Sequence, residues 1–182
     1  MELPTLVGQR CVLRELQADD APSIARHGDD EGVWRNLFDG FPRPYTLADA
    51  SAWCGDGHRR PGLGHVWAIS VGGEAIGCCS VRRDEGWLRC NAEVGYWIGR
   101  EYWRQGIASE ALALVGDWAW IAYPELTRLY APIFASNAGS QAVVRKCGYV
   151  LEGHFPKSAI KGGQVIDRVC WGRYRQPVAG QG

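Results

Sequence analysis

Apolar positions along the chain switch between a period of two and a period near 3.6, and the switches mark the expected elements. Residues 65–71 and 75–81 are strand-like runs, and Gly72-Gly73 begins the turn of a hairpin between them. Asp84-Glu85-Gly86 signals another turn before a strand over residues 90–98. Within that strand Glu93, Gly95 and Trp97 share one face, and Val94, Tyr96 and Ile98 share the other. Gly99 breaks it. The period then lengthens: Ile107, Ala111, Leu112, Val115, Trp118 and Ala119 form one stripe of a helix predicted over 107–122, stopped by Pro124. Residues 128–134 return to a strand. A helix joins that strand to the one at 90–98, so the two are expected to be parallel neighbours.

The chain ends are read from punctuation. A first strand is expected around Cys11-Val12-Leu13. Asp19-Asp20 before Ala21-Pro22 marks a helix start with a capping acid, ending near His27-Gly28. Thr46 opens a second helix, with Asp49 three residues on completing a capping box. Between the two helices, residues 34–45 should form an ordered aromatic loop. Asn137 to Ser140 leads into a short helix over 141–146, and Gly148 terminates it. Strands over 149–155 and 165–174 follow, joined through Lys161-Gly162-Gly163. No repeat or linker divides the chain, so one domain over 1–176 is expected, with a loose tail over 177–182.

Composition narrows the function classes. The 182 residues are 46% apolar, enough for a sizeable core. Lys plus Arg equals Asp plus Glu at 20 each, which argues against a general positive field for nucleic acid. Any anion site must therefore be local. Seven cysteines without a CxxC fit reduced thiols used as small apolar fillers in a cytoplasmic protein. Cys54, His58 and His65 lack an evident fourth partner, so no metal site is expected. No apolar run approaches the ~20 residues of a membrane span, and without a basic start followed by an apolar run no export signal is expected.

The stretch from Glu93 to Glu110 is the chemical centre: strand, short loop, then helix. A helix fed in this way presents N–H groups without internal partners, and its dipole favours an anion there. Gly106 would let the backbone approach that anion closely. A tight strand–helix connection with no ligand is the alternative. Walker and dinucleotide fingerprints are both absent.

Taken with the element order, Trp103-Arg104-Gln105-Gly106-Ile107-Ala108 and the spacing Asn137, Ser140, Lys146, Gly148-Tyr149 resemble the GNAT acetyltransferases, most closely their RimJ/RimL-like branch. The resemblance implies an α+β fold: a mixed, mostly antiparallel twisted sheet of six to seven strands, about four helices, and a central parallel pair splayed for CoA. It implies acetyl-CoA as donor, with the pyrophosphate on Arg104, Gln105, Gly106, Ile107, Ala108 and Ser109. The family's first loop position, arginine or glutamine, is Trp103 here. Pantetheine would lie along Tyr96, Trp97 and Ile98 and bond Asn137.

Glu93 is the candidate base, or else a structural carboxylate. The family's acidic tyrosine is Val144 here, which leaves Ser140 as the candidate acid, or as a plain helix cap. Arg145 and Lys146 either reach the 3′-phosphate or line a solvated face. Trp34, Phe38, Phe41, Tyr45 and Trp53 wall an acceptor groove or fill the core. Asp29, Asp30, Glu31 and Asp39 steer a cationic amine or stay a solvated surface. The acceptor is an amine, either a protein N-terminus or a small molecule such as an aminoglycoside, polyamine or metabolite. A non-catalytic acyl-CoA-binding module remains the rival class, and the protein could be a monomer or a homodimer.

Overall fold

The computed structural model describes residues 3–176, and the tail expected from 177 onward lies outside them. Its strands are β1 (Leu6–Val7), β2 (Val12–Arg14), β3 (His65–Val71), β4 (Glu74–Arg83), β5 (Asn91–Ile98), β6 (Arg128–Phe134), β7 (Val150–Lys161) and β8 (Gln164–Tyr174). They form one sheet in the order β1-β2-β3-β4-β5-β6-β8-β7. Every neighbouring pair is antiparallel except β5–β6, which is parallel as the intervening helix requires. The helices are α1 (Ala21–Gly28), α2 (Glu31–Trp34), α3 (Leu47–Gly55), α4 (Ile107–Ala122) and α5 (Ala138–Lys146). Eight strands replace the expected six to seven, and five helices the expected four. The additions, β1 and α2, are two and four residues long, too short to leave a period in the sequence.

Each face of the sheet carries its own core. Ile107, Ala111, Leu112, Val115 and Ala119 of α4 pack on Val94, Ile98, Leu129 and Trp171. On the opposite face, Ile24 of α1 and Ala50 and Cys54 of α3 pack with Phe41, Tyr45, Ala68 and Cys78. Thr46 and Asp49 form the expected box, each side chain accepting the other's backbone N–H at 3.2 and 2.9 Å. No helix among the described residues is long and apolar enough to cross a membrane.

Two carboxylates take roles that no local sequence signal marks. Asp20 precedes α1 but does not cap it: Arg14 donates to both its oxygens at 2.7 Å. Glu110 of α4 accepts the N–H groups of Gln9, Arg10 and Cys11 at 3.1, 2.6 and 3.0 Å. Burial works upward on the Glu110 carboxyl, but these donors outweigh it and hold the pKa below its ordinary value. The contact fastens the β1–β2 turn, and with it Arg10, beside the head of α4.

Glu152 of β7 locks the far side of the sheet. Arg128 of β6 grips it through Nε at 2.6 Å and through Nη2, while Tyr174 donates at 2.6 Å. The Arg128 hydrogen bonds are the main reason its carboxyl falls from 4.5 to about 2. A depressed carboxylate stabilises the fold above the unfolded-state value, and that contribution disappears as pH drops through the folded-state value. Glu152→Gln should therefore cost on the order of 1 kcal/mol at pH 7, solvent screening included. In urea melts, the gap between wild type and variant should close between about 4.5 and about 2. A gap unchanged across that window would remove the assignment.

Candidate active site

The sheet opens along its parallel seam. β5 and β6 pair only at Asn91↔Arg128, Ala92↔Leu129 and Glu93↔Tyr130. Beyond that point β5 stays on β4 to Ile98, and β6 stays on β8 to Phe134. Proline supplies a reason for the divergence. Arg128 N–H donates toward β5, to Cys90 O at 3.2 Å, whereas Ala135 N–H donates to Asp167 O, on the β8 side, at 2.9 Å. Strand groups alternate, so residues 128, 130 and 132 turn toward β5. Pro132 has no N–H to give, and the parallel ladder stops there.

The same alternation sorts the β5 backbone. Cys90 O faces β6, while Gly99 N–H donates to Ile76 O, on the β4 side, at 2.8 Å. Tyr96 and Ile98 therefore turn their amides and carbonyls into the gap. Trp97, expected to do the same, turns its backbone to β4 instead, and its ring meets Phe41 edge-on at 5.8 Å. The Ile98 carbonyl also accepts the Trp103 indole N–H at 3.0 Å.

At the mouth of the gap stands the head of α4. Arg104 and Gly106 take left-handed φ values of 63° and 81°. The first bond closing the helix runs from Glu110 N to Gly106 O at 3.0 Å. The N–H groups of Gly106, Ile107, Ala108 and Ser109 have no protein acceptor among the described residues. The Gln105 side chain does not join them, because it donates to Glu101 O at 2.8 Å. Two cations flank the open side: a Cβ at Gly106 would lie 3.4 Å from Arg10 Nε and 3.9 Å from Lys146 Nζ. Lys146 thus belongs to the loop's surroundings. Arg10 was missed, since only the tie to Glu110 brings the first turn here.

Glu93 and Ser140 stand on opposite faces of the sheet, one on each side of the gap. Glu93 lies directly across from Arg82 on β4, and the two side chains form an ion pair. Next to it Tyr130 donates to Asp84 at 3.1 Å, and burial pushes its phenol up to about 12. Ser140 sits in the first turn of α5, but Asn137 is the cap: its Oδ1 accepts Ser140 N–H at 3.0 Å. The Ser140 hydroxyl is therefore not spent on capping and lies 2.7 Å from the Tyr96 hydroxyl. Val144 is fully buried in the core.

The aromatic residues divide between the two readings. Phe41 and Tyr45 are buried and stacked at 4.5 Å, while Phe38 is 67% exposed. Trp34 donates to Phe41 O at 3.1 Å, and Lys161 Nζ rests 3.8 Å from the Trp34 ring centre. Gly162 N–H donates to Asp39 at 2.8 Å, so the β7–β8 tip docks on the loop after α2. Asp29 and Asp30 accept Tyr45 and Val33 N–H groups at 2.9 and 3.1 Å and so serve the local backbone. His58 Nδ1 bonds Trp53 O, and His65 pairs with Tyr123. No three His, Cys, Asp or Glu side chains among the described residues gather as metal ligands do.

Comparison with known proteins places this arrangement. The family model described as Acetyltransferase (GNAT) domain matches residues 10–150. An uncharacterized N-acetyltransferase, p20, of Bacillus licheniformis is 24% identical over 98% of this chain and 100% of its own length. The ribosomal-protein-serine acetyltransferase of Escherichia coli strain K12 is 36% identical over 53% of this chain and 52% of its own. Among solved structures, Mycobacterium smegmatis RimJ in complex with CoA-disulfide superposes with a TM-score of 0.80 at 21% identity, covering 94% of this chain and 87% of that one.

Proposed function

This chain is an acyltransferase of the GNAT acetyltransferase family, and from that premise we propose that it moves an acetyl group from acetyl-CoA to a primary amine, with a protein N-terminal α-amine as the acceptor. The observation that carries the reading is the alignment of the unpartnered N–H groups at Gly106 to Ser109 with the gap between β5 and β6. Those donors, the helix dipole, Arg10 and Lys146 suit a diphosphate. The free backbone of Tyr96 and the Asn137 amide group suit the pantetheine arm. When bound, acetyl-CoA supplies the activated acyl group. Glu93, on the face away from α4 and α5, receives the proton of the attacking amine directly or through water. Ser140, on the other face, offers its hydroxyl to the sulfur that leaves. Holding amine and thioester on the two sides of one gap converts their encounter into an oriented, nearly intramolecular one.

The acceptor preference rests on two things. One relative acts, by its name, on ribosomal-protein serine. The docking of Gly162 on Asp39 also bridges one side of the aromatic loop, which favours an acceptor presented end-on. Release of CoA thiol from acetyl-CoA across a panel of amines tests the proposal. Short peptides with a free N-terminal serine or alanine should exceed polyamines and aminoglycosides by at least about tenfold in kcat/KM, a difference of ~1.4 kcal/mol. The reverse ranking would assign a small-molecule acceptor. CoA binding with no turnover by any amine would leave only the non-catalytic module.

A further inference from the structure

We infer that Tyr96 is a positioning residue for departure of the thiol: its phenol donates to Ser140 Oγ and so leaves the serine's own proton free to point into the gap. The inference rests on the acetyl-transfer reading and adds to it a side chain for which only a backbone role was expected.

A serine hydroxyl carries one proton and rotates to suit its neighbours. At a helix start that rotor usually serves the backbone, but here Asn137 Oδ1 already takes the N–H of Ser140. The partner left to the Ser140 hydroxyl is Tyr96, whose oxygen lies 2.7 Å from Ser140 Oγ and 3.2 Å from Ser140 O. Both acceptors within its reach thus belong to Ser140, and the shorter contact is to Oγ. Burial, the largest influence on Tyr96, pushes its phenol well above the ordinary value, so it keeps a proton to donate. With Oγ accepting, the serine proton must point elsewhere. Tyr96 also lies past the last β5–β6 pair, where the strand lines the gap, so the same bond fixes α5 relative to that edge.

The chemistry balances without a proton leaving either hydroxyl. The amine nitrogen bonds the acyl carbon, the carbon–sulfur bond breaks, and its electron pair goes to sulfur. The proton released by the amine passes through Glu93 to solvent, and solvent returns one proton to the thiolate. Ser140 only donates a hydrogen bond to sulfur while charge develops there, and Tyr96 keeps Ser140 turned.

A double-mutant cycle tests this. Tyr96→Phe should lower kcat by about tenfold with KM for acetyl-CoA within about twofold, and should have no further effect once Ser140→Ala is present. A purely structural tyrosine would lower kcat by the same factor in both backgrounds, and that result would overturn the inference, as would an unchanged kcat for Tyr96→Phe. If the phenylalanine variant melts early, 3-fluorotyrosine introduced at position 96 gives the same reading in reverse. A more acidic phenol donates more strongly, so kcat should rise in the wild-type background and stay flat in S140A; an unchanged wild-type kcat, or equal changes in both backgrounds, overturns the inference. No thiol release by the wild-type protein would overturn acetyl transfer itself and this inference with it, whereas active wild type with additive variants overturns this inference alone.

Discussion

Gly106→Val is expected to weaken CoA binding by about a hundredfold, or ~2.7 kcal/mol, while the protein stays folded. Gly106 holds φ at 81°, where a β-branched residue is strained by roughly 1–3 kcal/mol. Relief of that strain rotates the loop and turns its N–H groups away from their common focus. The new side chain would also start 3.4 Å from Arg10 Nε and press on one of the two flanking cations. Gly106 itself lies outside both core clusters, although Ile107 and Ala108 beside it pack into one of them. Titration calorimetry with CoA, alongside a thermal melt, separates lost affinity from lost structure. An affinity within about threefold of wild type would mean that the diphosphate does not sit on these amides.

Glu93→Gln is expected to lower kcat/KM for the amine by about 10²–10³, within the usual range for a lost general base. Affinity for CoA should hold, since Glu93 projects to the face opposite α4 and α5. The substitution keeps the size of the side chain but removes the charge opposite Arg82. That pairing is the strongest argument for a structural carboxylate, and stability distinguishes the two roles. Glu93 and Arg82 are about a third and two-fifths exposed, so losing the pair should cost no more than ~1 kcal/mol. A variant that melts much earlier yet retains more than a third of its kcat/KM would show that Glu93 holds strands together rather than accepting a proton.

Much of the architecture could be read without coordinates because its signals are local. The hairpin at Gly72-Gly73 and the helix Ile107–Ala122 appeared where the pattern put them. The strand Arg128–Phe134 did as well, beside β5 and parallel to it. Where the structure departs from the local pattern, the causes are physical. Asp20 has the composition of a cap, but it closes the short turn before α1, where its carboxylate accepts the Gln17 N–H at 2.8 Å and both Arg14 nitrogens. Ser140 was ambiguous because serine and asparagine compete for the same capping role, and only their geometry shows Asn137 holding it. Alternation along β5 shows which face the Trp97 side chain takes. Which neighbouring strand its amide turns toward depends on the pairing register.

Pro132 marks the border between the two kinds of knowledge. By itself the sequence determined the strand-loop-helix at Glu93 to Glu110, the glycine at the head of its helix, and the strand over 128–134 that contains this proline. All three follow from backbone stereochemistry, which needs no distant partner. Only the tertiary structure decided that the missing N–H of that proline faces β5, that Arg10 and Lys146 converge on Gly106, and that Tyr96 reaches Ser140. Each of these depends on residues far apart in the chain meeting across a twisted sheet, and no local period or propensity carries that information.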